Sequence, residues 1–420
     1  MRPAYPPRAP VRFVDSWASI HFDLLRGLAA LFVLLGHWRN IFFLDFPQLA
    51  AYRSVLAIPY LLSAVGHQSV VVFFVLSGYF IGGTVFRTIE RNQWEWRSYL
   101  MRRIVRLWTV LFPALLLCLF WDRLGIHLGH APALYGGRVS NHLLLDVTQL
   151  LAPHIFFGNL FFLQGILTPV FGSNGALWSL AYEFWYYVLF PLGAVALWPR
   201  AQWSHRLLCA ALFVATAWFV RGGILMAFPI WLAGAALVKV PPPPFNQCTA
   251  KYLRAAAALI YLPVFFALSR IESAPNLANY LLTFATFLFL WLLLSAKEPF
   301  RPQARSAHAS RELARFSYTL YAAHVPLLVF AASLFIRDSR WYPAPLNLLK
   351  GVGILFLVLL YSYVLAFFTE FRTDIVRQRL EHLLSITPTP PALPSNPLSN
   401  LEGQRSPVAE TEAEVLTVTE

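Results

Sequence analysis

Charge is what this sequence has least of. Of its 420 residues only 13% are Asp, Glu, Lys or Arg, where a soluble chain carries about 25%. That deficit excludes an ordinary water-soluble globular protein. Cysteine is also scarce: Cys118 and Cys209 fall in apolar stretches and Cys248 in a proline-rich loop. They form neither a metal-ligand spacing nor an even-numbered disulfide framework, so they read as free thiols and no metal site is expected. Short segments of alternating polarity are missing, which excludes a transmembrane β-barrel. No internal repeat and no soluble enzyme domain is found. The opening stretch MRPAYPPRAPVRFVDSWASIHFD lacks the apolar core and small-residue cleavage site of a secretory signal. The first span is therefore expected to be retained.

What the chain has is apolar length. It is 58% hydrophobic, and runs near the ~20 residues that a span requires recur from residue 25 to residue 369. Spans are expected near 24–44, 69–86, 99–121, 176–198, 206–220, 223–238, 252–269, 278–296, 314–336 and 347–369. The fold class that follows is all-α: a polytopic integral membrane protein with about ten transmembrane helices. Segment 154–167, HIFFGNLFFLQGIL, is apolar but short and contains Gly158, Asn159 and Gln164. It suits a re-entrant or interfacial helix better than a span. The expected organisation is a cytoplasmic segment 1–19, a transmembrane domain 20–372 and a Pro-, Ser- and Glu-rich tail 386–420 that cannot bury a core and is expected to be disordered.

The net charge of +13 would suit a nucleic-acid binder, but the basic residues sit between apolar runs, where they set orientation in a membrane instead. No nucleic-acid partner is expected. With ten spans, 24 of the 33 Lys and Arg residues fall on the side that holds both termini and 9 on the other, which places both termini in the cytoplasm. The loop 122–153, with His127, His130 and His142, then faces outward.

Ionisable residues inside the spans are costly and mark function by default. Arg26 and His37 are eleven residues apart in LRGLAALFVLLGHWRN. At ~100° and ~1.5 Å per residue they share one helical face, roughly 16 Å apart. Asp23, three residues before Arg26, can hold its guanidinium. Each alone is compatible with a snorkelling arginine and a satisfied core histidine; the shared face suggests a polar path into the membrane from its inner surface. In SYLMRRIVRLW, Arg103 and Arg106 are i,i+3 neighbours and Arg102 is i,i+4 from Arg106. Guanidinium forks at that spacing suit phosphate oxygens, although topology alone also explains basic residues there. Glu183, in NGALWSLAYEFWYYVLFP, lies at a depth similar to that of His37 and can orient its imidazole; the alternative is a protonated or Tyr-bonded structural carboxylic acid. Ser77, Gly78 and Gly82 read as close helix packing, and His324 with Tyr321 as a packed Tyr–His pair.

Together these stretches resemble the acyltransferase 3 family of integral membrane acyltransferases. The matching pieces, in family order, are LRGLAALFVLLGH, VVVFFVLSGYFI, YLMRRIVRLW, NLFFLQ, ALWSLAYEFWYYVLFP and SYTLYAAHVP, covering residue 20 to about residue 370. One departure is Gln68 and Ser69, where many members carry a Gly-Val-Asp-like run. The resemblance implies an enzyme that takes an acyl group, often acetyl, from cytoplasmic acyl-coenzyme A. It delivers that group to a hydroxyl of a cell-surface glycan, a lipid or another hydroxylated acceptor, and it works in a bacterial inner (cytoplasmic) membrane among membrane lipids. Carried over by position, the family's first-span Arg and His fall on Arg26 and His37, its Arg-x-x-Arg motif on Arg103 and Arg106, and its Trp-Ser-Leu-x-x-Glu stretch on Trp178, Ser179 and Glu183. The expected roles are His37 as general base, Glu183 as its orienting partner, and Arg26, Arg103 and Arg106 as acyl-CoA ligands. A polytopic transporter or flippase is the alternative, although the arginines gather at one surface and no repeat is present.

Overall fold

Apolar runs of this length leave the backbone one way to satisfy its polar groups in hydrocarbon, the helix. The computed structural model describes Phe13 and residues 16–139, 146–271, 273–296, 305–337 and 339–384; among these no strand occurs. Its helices are α1 (Trp17–Phe42), α2 (Arg53–Ser63), α3 (Gly66–Glu90), α4 (Trp96–Leu128), α5 (Pro132–Tyr135), α6 (Pro153–Leu160), α7 (Trp178–Leu197), α8 (Trp203–Val220), α9 (Gly223–Leu237), α10 (Gln247–Leu268), α11 (Pro275–Leu293), α12 (Arg305–Arg315), α13 (Ser317–Phe335), α14 (Pro345–Phe368) and α15 (Thr373–Leu383). His142, the tail 386–420 and most of segment 1–19 lie outside the described residues.

Nine helical segments among the described residues are long and apolar enough to cross a bilayer. They account for every expected span except 223–238, which is the shorter helix α9. Its 15 residues extend only about 22 Å, against a hydrocarbon core of about 30 Å. Three glycines press α9 onto α3. A Cβ on Gly78 would lie 2.0 Å from the carbonyl oxygen of Trp231, one on Gly234 1.8 Å from that of Val75, and one on Gly82 2.8 Å from Ala235. The small residues of the second span are therefore what lets two backbones touch. Gly78 faces Trp231, Gly82 faces Ala235, and Glu90 pairs with Lys239. Residue numbers rise together on the two helices, so they run in the same direction.

Segment 154–167 does not span. Helix α6 has eight residues, and the chain then doubles back. Asn159 stitches the return: its amide donates to the carbonyls of Ile155 and Pro169, and its oxygen accepts from the N–H of Phe171. Helix α2 falls where a loop was expected; it buries Leu56, Tyr60 and Ser63 and leaves Val55, Ile58 and Leu62 exposed. The three cysteines are free, Cys118 and Cys209 buried and Cys248 exposed.

Helix α13 is the hub. It buries an unbroken run from Thr319 to Pro326 and packs against α1, α4, α12 and α14. Helices α8 and α10 lie at the periphery, with Trp203, Leu207, Leu208, Trp218, Leu259 and Ile260 exposed, as lipid-facing helices require. The C-terminal end of α1 is locked down by Trp38, whose indole N–H donates to the Gly351 carbonyl at 2.9 Å, and by Asp45, which accepts from Arg39 at 3.1 Å and Arg340 at 3.0 Å.

Candidate active site

Four clusters of polar groups line the inward face of α13, whose residue order supplies the ruler. One surrounds Thr319. Its N–H and hydroxyl donate to the carboxyl of Glu370, at 3.0 and 3.1 Å, and Glu370 feels the charges of Arg106 and Arg26. Arg26 donates to the carbonyl of Ala314 at 3.1 Å and lies 3.6 Å from Asp23, the partner expected for it. Arg103 spreads its guanidinium over the rings of Tyr99 and Tyr187, 5.4 and 5.9 Å from their centroids. Arg102 leaves this group: it bonds Ser98 and approaches Glu381 of α15 at 3.8 Å. Arg103 and Arg106 therefore face inward, while Arg102 anchors the C-terminal helix.

A second cluster, at much the same height, is built on Glu183. Its Oε1 accepts from Ser77 Oγ at 3.1 Å and from the Tyr187 hydroxyl one turn along α7. Ser77 in turn accepts from the Trp231 indole at 3.2 Å, so the carboxyl ties α7, α3 and α9 together. Tyr318, whose hydroxyl donates to the Leu107 carbonyl, adjoins Glu183, Tyr187 and Arg106 electrostatically. Above this lies a third cluster, where Tyr321 donates to the carbonyl of Ala176 at 3.0 Å and shares a 2.6 Å bond with Ser179.

The fourth cluster holds His37. Its Nδ1 lies 2.7 Å from Nε2 of His324, and the two rings meet edge to edge, with centroids 4.9 Å apart and planes 16° from parallel. The Nδ1 of His324 lies 2.7 Å from the carbonyl oxygen of Leu320. Both Arg26 and His37 thus turn toward the α12–α13 side, and the shared stripe on α1 exists as the eleven-residue spacing required.

The expected pairing of Glu183 with His37 does not form. Ser179 sits level with Tyr321; Glu183 is one turn below Ser179, and His324 nearly one turn above Tyr321. At ~1.5 Å per residue this puts Glu183 about 10 Å beneath the histidines. Counting depth from each helix's own end missed this because α7 begins below the C-terminal ends of α1 and α13. The Tyr-bonded alternative for Glu183 is the one found. His324 packs edge-on against Tyr321 as expected, with ring centroids 6.4 Å apart, but its hydrogen bond goes to His37. Sequence reasoning also missed Glu370, Tyr187 and Ser77 as parts of this column. For Glu370 a signal existed, an acid at the end of an apolar run; for Tyr187 it was the i,i+4 spacing from Glu183.

A model of the family described as an acyltransferase domain matches residues 20–367 of the chain, which takes in α1 through nearly all of α14 and every cluster of the column except for Glu370. No curated protein and no solved structure matched the chain.

Proposed function

The chain belongs to the acyltransferase 3 family and is a membrane acyltransferase; from that premise we propose that it moves an acyl group, acetyl in the first instance, from acyl-CoA on the cytoplasmic side to a hydroxyl of a glycan, lipid or other acceptor on the outer side. The reading takes both termini as cytoplasmic and the membrane as a bacterial inner membrane, in keeping with the Lys and Arg asymmetry. Arg103, Arg106 and Arg26 would hold the donor's phosphates as planar forks suited to phosphate oxygens. The thioester arm would lie along the polar stripe of α1.

At its upper end His37 acts as general base. Its imidazole takes the proton of the acceptor hydroxyl as the oxygen attacks the thioester carbon; the C–S bond breaks, and the proton passes to the departing thiolate. Such a base contributes about 10²–10⁴-fold in rate. Glu183 orders the middle of the path through Ser77 and Tyr187 and takes no proton from the substrate. The observation that carries this reading is the stripe itself: a guanidinium and an imidazole on one face of α1, the first turned onto the end of α12 and the second onto α13.

The test uses the full chain, purified in detergent and given labelled acetyl-CoA, with release of free thiol as the readout. His37→Ala should lose activity by about 10²–10⁴-fold while inserting and melting as the wild type does. Full activity in that variant refutes the base assignment. A transporter or flippase would neither bind nor cleave the thioester, so the wild-type measurement tests that alternative too.

A further inference from the structure

Both ring nitrogens of His324 are engaged, and together they dictate where the protons sit on His37. The Nδ1 of His324 lies 2.7 Å from the carbonyl oxygen of Leu320. A carbonyl oxygen only accepts, so this nitrogen bears hydrogen. A neutral imidazole carries one N–H, and Nε2 of His324 therefore presents a lone pair. At 2.7 Å from it stands Nδ1 of His37, which must supply the hydrogen for that bond. The basic nitrogen of His37 is then Nε2.

We propose that His324 is a positioning residue for acyl transfer: it holds His37 in the Nδ1–H tautomer and shares the positive charge that forms when Nε2 of His37 takes the acceptor's proton. This rests on His37 being the base. During the step the hydroxyl proton moves to Nε2 of His37, the new C–O bond forms, the C–S bond breaks, and Nε2 returns the proton to the thiolate. The hydrogen on Nδ1 stays between the two rings throughout, shifting toward Nε2 of His324 while the charge lasts. Nothing is oxidised or reduced.

In a water-soluble hydrolase a buried carboxylate performs this task. A carboxylate placed deep in a bilayer carries a heavy desolvation cost. A neutral imidazole backed by a helix carbonyl gives the same control of tautomer without a permanent charge. His324 is fully buried and hydrogen-bonded to a carbonyl of its own helix, so its ring is held in place before substrate arrives, as a positioning group requires.

The test separates positioning from packing. His324→Phe keeps a planar ring to fill the site but has no acceptor; His324→Gln loses the ring but can set an amide oxygen near the place of Nε2. The expected result is a kcat lowered by about 10²–10⁴-fold in His324→Phe, an unchanged KM for acetyl-CoA, and at least tenfold recovery of kcat in His324→Gln. Wild-type kcat in His324→Phe, or equal losses in the two variants, overturns the proposal. Should both variants fail to fold, ¹⁵N spectra of histidine-labelled wild-type protein decide the matter, with the His37 signals assigned by their loss in His37→Asn. The proposal requires hydrogen on Nδ1 of His37 and none on Nε2 in the resting enzyme; the opposite tautomer sinks it. An active His37→Ala variant would instead remove the premise, an outcome distinct from a dead His37→Ala beside a fully active His324→Phe.

Discussion

Glu183 is the residue at which two accounts of this enzyme part company, and replacing it by Ala and by Gln distinguishes them. In the structure both donors to Glu183, Ser77 Oγ and the Tyr187 hydroxyl, converge on one oxygen, Oε1. Truncation to Ala strands both, and a buried donor left without a partner costs about 1–3 kcal/mol, so the ceiling is roughly 6 kcal/mol. Ser77 and Tyr187 are only 3.4 Å apart and can turn to each other, which brings the expected cost of Glu183→Ala down to about 2–3 kcal/mol. Glu183→Gln keeps a carbonyl oxygen at the same point and should cost under about 1 kcal/mol. The assay is thermal melting in detergent alongside steady-state transfer from acetyl-CoA. The Ala variant should melt well below the wild type and the Gln variant close to it, with kcat in Glu183→Gln within about tenfold of the wild type. A residue that oriented the catalytic imidazole would give the reverse pattern. A kcat lowered about 10²-fold or more in Glu183→Gln, at wild-type melting temperature and donor KM, refutes the placement of Glu183 as a structural tie.

Removing the inward arginines tests the donor path: Arg103→Ala and Arg106→Ala should each raise the KM for acetyl-CoA by about 10–100-fold, the equivalent of a charged hydrogen bond worth about 1.5–3 kcal/mol, and unchanged donor affinity would return both to topology alone. Gly234→Val sets side-chain carbons where the Val75 carbonyl already lies; overpacking of about 1–3 kcal/mol should lower the melting temperature, and an unaltered one would mean that α3 and α9 do not pack this closely. Just past the C-terminal end of α1, burial raises the pKa of Asp45, but Arg340 and Arg39 more than reverse this and hold it below its ordinary value. A carboxyl lowered on folding stabilises fully above its unfolded value, about 3.9, and the gain is lost as pH falls through the folded value. The stability gap between wild type and Asp45→Asn should therefore be constant near neutral pH and close in acid; a gap that persists into strong acid contradicts the Asp45 ion pairs.

Much of the fold was legible along the chain. Nine of the ten expected spans, the failure of 154–167 to cross, the close packing at Gly78 and Gly82 and the Asp23–Arg26 pair all follow from local composition or i,i+3 spacing, and the structure contains each. Helix α2 was not legible, because an 11-residue helix gives too short a periodic signal to separate from a loop. Within the site, the stripe of Arg26 and His37 was legible because both residues ride on one helix. Their partners were not: His324 is 287 residues from His37 and Ser77 is 106 from Glu183.

The sequence by itself determined that this chain is a helical membrane protein, where its spans lie, and that α1 carries a guanidinium and an imidazole on one face. Hydropathy and helical pitch are properties of a single segment, so they can be read before anything packs. Only the tertiary structure decided that His37 meets His324 and that Glu183 meets Tyr187 and Ser77. Soluble helices announce their inward side by an apolar stripe; these spans are apolar nearly all round, so the rotation and depth of each against its neighbours are settled by packing alone.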